Sequence, residues 1–502
     1  MRRLELDVAV YPKRRAIVAT ALLHLNLGEH HLARTVLHLT QALKVKSVVA
    51  DGEKVPFEHR DGLLHLLWPK PRRGLVRVAV TYRGSPPVAQ RPPWQGGFVW
   101  AKDRKGRPWV SLACQIKGAS MWLPVSGDFS DKIDTLELRV NVPKPLFCAA
   151  NGRLVAVKDE DDGRKTYIWR HQYPIIPHNI SINLADYRVE QRGFAALPDV
   201  PVILYTLMQR PAAMPDEAVY TRQRNLLFAE LEKYVGFLSA RYGPYPWQGE
   251  KLAVVHTPFL GMEHQTINAY GNGFQFDNGF DEILFHELGH EWFGNRVTAA
   301  TPRDLWLQEG ITTYITGLYL AEQFGPARAA SFYEMQRAQV SGEVPLFPAT
   351  MPTINEAFHN DIYTKAALVL RTLARIIGEP KLDAILYRWV NEPTLQQPGA
   401  ASTAAFRALV AEETGLELGW FFDHYLRHAA LPRLDVTREG STVTLRWHHP
   451  DFNLPVPVQL PDEAGTRVLV PVNRGVGVLQ RVPAGEMVVD PDQWLLRHED
   501  DK

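Results

Sequence analysis

Two histidines, and the glutamate between them, are the residues of this chain best suited to chemistry. His286 and His290 are four residues apart, so on a helix both imidazoles leave one face, one turn apart. That spacing suits two nitrogen ligands of one zinc ion, and Glu287 lies where a carboxylate can take a proton from a metal-activated water. Glu309 follows after eighteen intervening residues and offers a third ligand. Three protein ligands leave open the fourth position that a catalytic zinc requires.

The residues around the motif favour a buried metal helix over a surface helix that carries two histidines by chance. The helix is apolar apart from its metal face, through Phe285, Leu288, Trp292 and Phe293. Buried histidines and glutamates need partners, and a metal ion supplies them. Asp281 and Glu282 precede the motif and are expected to cap the helix.

Composition indicates an ordinary globular protein of more than one domain. The 502 residues are 45% hydrophobic and 22% charged, with a formal net charge of +1. This balance gives no support for nucleic acid or an anionic membrane as a partner, and no apolar run is long enough for a membrane span. Two cysteines, Cys114 and Cys148, favour a reducing compartment, so a cytoplasmic location is expected.

Hydrophobic patterning predicts a multidomain α+β fold. Residues 1–208 alternate in the manner of an antiparallel β-sheet domain, residues 209–432 are mostly helical and hold the zinc motif, and residues 433–502 return to alternation as a small β domain. The predicted helices are 217–242, 281–295, 304–324, 326–340, 363–377 and 404–428, and a short buried strand is predicted at 252–255.

The motifs resemble those of one family. The segment from His286 to Thr298 is similar to the H-E-x-x-H-x-W-F-G-N-x-V-T signature of the gluzincin aminopeptidases, peptidase family M1, and Leu305 to Gly310 is similar to its W-L-N-E-G, with Gln308 in place of Asn. The family includes alanyl aminopeptidases and leukotriene hydrolase. The resemblance implies one Zn²⁺ held by His286, His290 and Glu309, a saddle-like N-terminal sheet domain and a thermolysin-like catalytic domain. It also implies a short form without the helical C-terminal domain of larger members.

A second resemblance concerns the family's G-x-M-E-N strand beside the site. Here it reads Leu260-Gly261-Met262-Glu263-His264, so Leu260 and His264 depart from the pattern. The resemblance implies that Glu263 binds the free α-amine of a peptide substrate. It also implies that the backbone around Gly261 and Met262 pairs with the backbone of that peptide. An ammonium group also fits the physics, because a cation offsets the repulsion between Glu263 and other negative charge at the site.

Two further residues gain roles from the resemblance. Tyr363 precedes Thr364-Lys365-Ala366 at a predicted helix start, and it resembles the family tyrosine that precedes x-K-G/A before a helix. The resemblance implies that the Tyr363 phenol donates a hydrogen bond to the oxyanion. Tyr314 is the competing candidate for that tyrosine. Gln115 lies in a segment, 113–124, that resembles the part of the sheet domain that also contacts the amine.

These residues together predict a zinc aminopeptidase that hydrolyses the N-terminal peptide bond of peptides with a free N-terminus. Three alternatives stay open: an endopeptidase on the same zinc helix, an epoxide hydrolase using the same zinc, and a family-like binding scaffold without activity. Glu263 argues against the endopeptidase, since an endopeptidase needs no amine anchor. A scaffold would be expected to lose ligands or the base, and this chain keeps all four.

Overall fold

The fold is described from a computed structural model that covers residues 1–115, 118–277 and 279–498. The chain forms two compact units, Met1–Thr298 and Ala299–Lys502. The sequence predicts three domains, 1–208, 209–432 and 433–502. They stay a prediction beside this division into two units.

The first unit is rich in β-structure. Its strands are β1 (Arg3–Tyr11), β2 (Ala16–Asn26), β3 (Leu32–His38), β4 (Leu43–Ala50), β5 (Glu53–Lys54), β6 (Phe57–Arg60), β7 (Leu63–Arg72), β8 (Leu75–Gly84), β9 (Gly97–Lys102), β10 (Pro108–Ala113), β11 (Thr135–Pro143), β12 (Phe147–Ala150), β13 (Arg153–Asp159), β14 (Arg164–His171), β15 (Ile182–Ala185), β16 (Tyr187–Phe194), β17 (Leu197–Leu207), β18 (Leu252–His256), β19 (Gly261–Met262) and β20 (Asn268–Tyr270). Its helices are α1 (Glu217–Tyr242) and α2 (Glu282–Gly289). Short 3-10 helices lie at Pro12–Arg14, Ala119–Met121 and Pro177–Asn179.

Alternating apolar residues explain the largest sheet, which has the order β13-β14-β11-β1-β2-β8-β4-β5. In β1, Leu4, Leu6 and Val8 are buried and their neighbours in sequence are more exposed, as the period of two predicts. The register places Leu4 opposite Leu23 of antiparallel β2 and opposite Leu136 of parallel β11. The same side chains belong to one continuous hydrophobic core.

A five-stranded sheet in the first unit lies nearest the predicted metal helix. Its order is β16-β17-β18-β20-β19, in which β17, β18 and β20 run parallel and β19 pairs antiparallel with β20 at the edge. Every residue of β18 is buried, which is typical of a strand covered on both faces. The remaining sheets of this unit have the orders β12-β15-β10-β9 and β3-β7-β6.

The second unit is helical, with two small sheets. Its helices are α3 (Trp306–Phe324), α4 (Pro326–Ala338), α5 (Ile354–Ala357), α6 (Thr364–Ile377), α7 (Glu379–Asn391), α8 (Thr403–Thr414) and α9 (Gly419–Arg427), with 3-10 helices at Pro302–Asp304 and Asn360–Ile362. Its strands are β21 (Leu434–Glu439), β22 (Thr442–Trp447), β23 (Val456–Gln459), β24 (Arg467–Val470), β25 (Val476–Leu479) and β26 (Val488–Val489). They form the three-stranded sheets β21-β22-β25 and β24-β23-β26.

The α+β fold class is confirmed, with corrections to the helices. The prediction of one helix over 404–428 was wrong, because the chain leaves α8 at Gly415 with a left-handed φ of +66° and restarts in α9. The prediction of a helix over 281–295 was too long, since α2 ends at Gly289. Helices α5 and α7 were not predicted.

None of the helices formed by the described residues has the length and hydropathy that a membrane crossing requires.

Candidate metal centre and active site

Helix α2 starts at a cap that also ties it to the sheet. The Asp281 carboxylate accepts a hydrogen bond from the Leu284 amide at 3.0 Å, so the predicted cap is confirmed for Asp281. It also accepts from the Tyr270 hydroxyl at 2.6 Å and from the Asn272 side-chain amide at 3.0 Å. Since Tyr270 belongs to β20, the position of the helix is fixed relative to the five-stranded sheet.

The two motif histidines face each other at the other end of this helix. The Nε2 atoms of His286 and His290 are 3.0 Å apart, and the ring centroids are 4.6 Å apart. His290 closes the last turn, because its amide donates to the His286 carbonyl. Its Nδ1 lies 2.9 Å from the Phe293 carbonyl oxygen, which can only accept. Nδ1 therefore carries the proton, and the Nε2 lone pair is available to a metal ion.

Glu309 completes a group of three metal-ligating side chains. It is 1% exposed and lies in the first turn of α3. One ligand atom each from His286, His290 and Glu309 all lie within 4.8 Å of one another. Two imidazole nitrogens and a carboxylate oxygen are a donor set that zinc accepts, and two ligands of a tetrahedral zinc are separated by about 3.3 Å, close to the histidine separation. The residues therefore fit a zinc ion.

The Glu287 side chain extends from helix α2 towards the edge strand β19. It is 9% exposed. Strand β19 passes so close that a Cβ added to Gly261 would lie 2.4 Å from the Glu287 Oε1 atom. Only a residue without a side chain leaves room for the carboxylate here. This contact places Glu263, two residues further along the chain, on the segment that abuts Glu287.

The Glu263 segment is fastened to the turn that follows the zinc helix. Glu263 is 3% exposed, and its backbone carbonyl accepts a hydrogen bond at 3.0 Å from the side chain of Asn295. The same side-chain amide also donates, at 3.0 Å, to the carboxylate of Glu291, the residue that directly follows the second motif histidine. Met262 is buried in β19. The structure thus brings Gly261, Met262 and Glu263 against the helix that carries the histidines.

Gln115 lies at the end of a strand that approaches the same segment. It is half-buried in the turn after β10. Ala113, the last residue of β10, is buried in one hydrophobic cluster with Met262, Phe259 and Ala269. Ile116 and Lys117, which belong to the predicted segment 113–124, lie outside the described residues. The position of Gln115 is compatible with the expected role, and the role itself stays a prediction.

Tyr363 lies at the start of α6, in the second unit with Glu309. Its carbonyl accepts the Ala367 amide at 3.0 Å, so the tyrosine opens the helix as expected. Helices α3 and α6 approach closely one residue after Glu309, where a Cβ on Gly310 would lie 2.5 Å from the Ala366 Cβ. This packing fixes the Tyr363 end of α6 relative to the Glu309 turn. Tyr314, the competing candidate, is buried within α3.

Glu291, which the sequence did not single out, organises the turn after the motif. Glu291 is fully buried, and its carboxylate accepts four hydrogen bonds, from Trp247 at 2.7 Å, the Thr266 amide at 2.9 Å, Asn268 at 3.0 Å and Asn295 at 3.0 Å. Burial raises the pKa of Glu291, and the donors oppose that effect. The one sequence signal for it was an acid next to His290 in an otherwise apolar run.

Lys132 is a second residue that the sequence did not point to. It is 6% exposed and donates to the backbone carbonyls of Asn295 at 3.0 Å and Arg296 at 2.9 Å. Burial, followed by the charge of Arg296, lowers the pKa of Lys132 to about 7. It fastens the turn after the zinc helix to the segment before β11.

The two departures from the family motifs have different surroundings. Gln308 accepts a hydrogen bond from the Ala299 amide at 2.8 Å, which a shorter side chain would reach only with a shift of backbone. His264 is completely buried, and neither of its ring nitrogens has a hydrogen-bond partner among the residues that the structure describes. Burial, followed by the charge of His178, lowers the pKa of His264 to about 3, so its imidazole is neutral.

Comparison with known proteins relates the segment that holds the site to a known domain family. Residues 242–425 match the model of the peptidase family M1 domain, a range that contains the three metal-ligating residues, Glu287 and Glu263. The chain also resembles the solved M1 zinc metallopeptidase of Deinococcus radiodurans in complex with a Tyr-Ser-Ala substrate, with a TM-score of 0.71 and 23% identity over 86% of this chain and 95% of that chain. At that identity the likeness shows the fold.

The chain contains a peptidase family M1 domain, and it is homologous to leukotriene A-4 hydrolase and to leucine aminopeptidases. It is 24% identical to leukotriene A-4 hydrolase of Xenopus laevis over 76% of this chain, and 27% identical to leucine aminopeptidase 2 of Aspergillus niger over 45% of it. The alignments span 63% and 34% of those two proteins. The M1 domain predicted from the motifs is confirmed over residues 242–425, and its zinc-dependent relatives indicate zinc as the metal of the His286, His290 and Glu309 group.

Proposed function

We propose that this chain is a zinc aminopeptidase that removes the first residue of peptides with a free N-terminus. The observation that carries the proposal is the close approach of Gly261 to Glu287. It places the segment that carries a buried acid, Glu263, against the carboxylate that follows the first motif histidine. Two acids with different tasks are thus held on adjoining elements. The relatives named leucine aminopeptidase support this reading.

Glu287 is the general base in this proposal. Zinc, when held by His286, His290 and Glu309, polarises the scissile carbonyl and lowers the pKa of an attacking water. Glu287 takes a proton from that water and then passes it to the nitrogen of the leaving amine. The contact with Gly261 of β19 limits the movement of the Glu287 carboxylate. The carboxylate therefore stays within reach of both the water and the leaving nitrogen.

Tyr363 stabilises the charge that develops on the carbonyl oxygen. Its phenol donates a hydrogen bond to the oxyanion, and one such donor contributes roughly 3 kcal/mol in comparable sites. The contact of Gly310 with Ala366 supports the assignment, because it fixes the helix that begins at Tyr363 against the helix that carries Glu309.

Glu263 and Gln115 bind the substrate's α-amine and thereby set the cleavage position. Glu263 is 3% exposed, so an ammonium group that reaches it forms a pair that water screens little. Strand β19 lies at the edge of its sheet, and an extended peptide can pair with the backbone of Gly261 and Met262. The amine anchor then places the first peptide bond at the metal.

Product analysis tests the proposal and separates it from an endopeptidase. A peptide of about ten residues is incubated with the zinc-loaded chain, and the products are followed by mass spectrometry. An aminopeptidase releases free amino acids in order from the N-terminus, and removal of zinc with a chelator stops the release. Internal fragments as the first products, or release that continues at the same rate without metal, would rule the proposal out.

A further inference from the structure

Three histidines cluster in the second unit, in a place to which the proposed activity assigns no role. His424 and His428 lie one turn apart at the end of α9, and His449 follows β22 by two residues. The centroids of the His424 and His449 rings are 4.5 Å apart, those of His424 and His428 are 5.1 Å apart, and those of His428 and His449 are 5.3 Å apart. The three imidazoles therefore contact one another in pairs.

His424 is the buried member of the cluster. It is 7% exposed, and its buried Nε2 atom has no hydrogen-bond partner within the described part of the chain. The centroids of the His424 and Phe452 rings are 4.5 Å apart, and a phenyl ring cannot supply a strong hydrogen-bond partner. A buried polar atom left without a partner costs roughly 1–3 kcal/mol, so this nitrogen calls for a ligand. His428 and His449 are exposed.

Burial is the main reason that His424 stays neutral, and neighbouring positive charges act in the same direction. Burial, followed by the charges of His449, His428 and Lys365, lowers the pKa of His424 to about 3. The Lys365 ammonium itself donates to the carbonyls of His428 and Ala429, at 2.7 and 2.8 Å. A neutral imidazole offers a lone pair, and crowded imidazoles are more stable around a shared cation than as neighbouring cations.

The spacing of the rings is that of metal ligands. Two imidazoles on one zinc ion have centroids about 5 Å apart, given a zinc–nitrogen distance near 2 Å. The centroids of the His286 and His290 rings are 4.6 Å apart. The three centroid distances in this cluster, 4.5, 5.1 and 5.3 Å, are similar. Among the described residues, the His286 group is the one whose ligand atoms all meet within 4.8 Å, so binding here needs a rotation of the exposed rings.

We propose that His424, His428 and His449 form a second metal site, for a divalent transition-metal ion such as Zn²⁺, that joins α9 to the segment after β22. Three neutral imidazoles suit zinc, nickel or copper. Two of them repeat the four-residue helical spacing of the first site, and the third comes from a different element. Such a site cross-links two parts of the second unit.

Calorimetric titration of the whole chain, loaded beforehand with one equivalent of Zn²⁺, tests the proposal. A further equivalent of Zn²⁺ should bind. His428→Ala and His449→Ala should each weaken that second binding event by at least about tenfold, since even partners of metal ligands contribute that much.

His448→Ala is the matched control. His448 is exposed next to His449, but its Nε2 atom pairs with Asp435 at 2.9 Å. Its removal should leave the second binding event unchanged. Both test positions are exposed, so the variants should keep the fold, and circular dichroism checks this. The absence of a second equivalent, or a second equivalent of unchanged affinity in both His428→Ala and His449→Ala, would overturn the proposal.

Discussion

A single methyl group at Gly261 should impair the proposed base without touching the metal. Alanine at this position would place its Cβ 2.4 Å from Glu287 Oε1 and 2.8 Å from Ile283 Cγ2. The backbone φ of Gly261 is not among the positive values, so alanine introduces no backbone strain there. The nearest obstacle is the end of the Glu287 side chain, which must give way.

The size of the effect follows from that distance. Ordinary contacts to a Cβ begin at 3.4 Å, so the carboxylate has to retreat by about 1 Å. A displacement of about 1 Å of a catalytic group costs roughly 100-fold in rate, or about 2.7 kcal/mol of transition-state stabilisation. The cost to folding should be smaller, about 1–3 kcal/mol, which is typical of one added methyl group in a packed site.

The assay is kcat and KM on an aminoacyl-nitroanilide, with zinc content measured on the same samples. Gly261→Ala should lower kcat about 100-fold and retain one zinc. Gly236→Ala is the control, because a Cβ at Gly236 in α1 meets nothing within 4 Å. Full activity of Gly261→Ala, with its fold and zinc intact, would refute the role given to Glu287.

Three further predictions follow from the same site. Glu287→Ala should abolish turnover and retain zinc, as shown by kinetics and metal analysis, because the base is lost but the ligands remain. Tyr363→Phe should lower kcat by roughly 100-fold or more at similar KM, since the lost hydrogen bond acts in the transition state. His264→Asn should change the pH dependence of the free energy of unfolding. Burial lowers the pKa of His264 from 6.5 to about 3, so between these pH values the unfolded chain binds one proton more than the folded chain. The stability of the wild type therefore falls as the pH falls from 6.5 towards 3. Urea denaturation of the variant across this pH window should show a fall shallower by about 1.4 kcal/mol per pH unit.

Each of these predictions has an outcome that contradicts it. Retained turnover excludes Glu287 as the base, and loss of zinc in Glu287→Ala leaves that variant uninformative, so Glu287→Gln serves as its isosteric partner. An unchanged kcat removes Tyr363 from the mechanism. Equal slopes in wild type and His264→Asn would mean that the buried imidazole is protonated in the folded chain or is hydrated.

The pairing of His286 and His290 in the candidate metal group could be predicted because its signal is local. The four-residue spacing of His286 and His290 survives in the structure even though α2 ends at Gly289, since His290 closes the last turn with helical geometry. Helix 217–242 was predicted at its observed bounds, because its apolar residues repeat at helical spacing. The Asp216 cap at its start is seen only in the structure.

The polar network behind the site could not be predicted, because its members are distant in sequence. Glu291 draws donors from Trp247, Thr266 and Asn268, and nothing in the local sequence indicates those pairings. The contact of Gly261 with Glu287 likewise joins an edge strand to a helix across more than twenty residues. Long-range contacts of this kind depend on the tertiary fold rather than on periodicity.

Paired rates on a peptide and on its N-acetylated form test most directly whether a positively charged peptide end is recognised beside the metal. The zinc-loaded chain should prefer the free peptide by about 30-fold or more in kcat/KM, because losing one partner of a buried charge pair costs roughly 2–5 kcal/mol. Equal kcat/KM for the two peptides would contradict the aminopeptidase assignment and the role of Glu263.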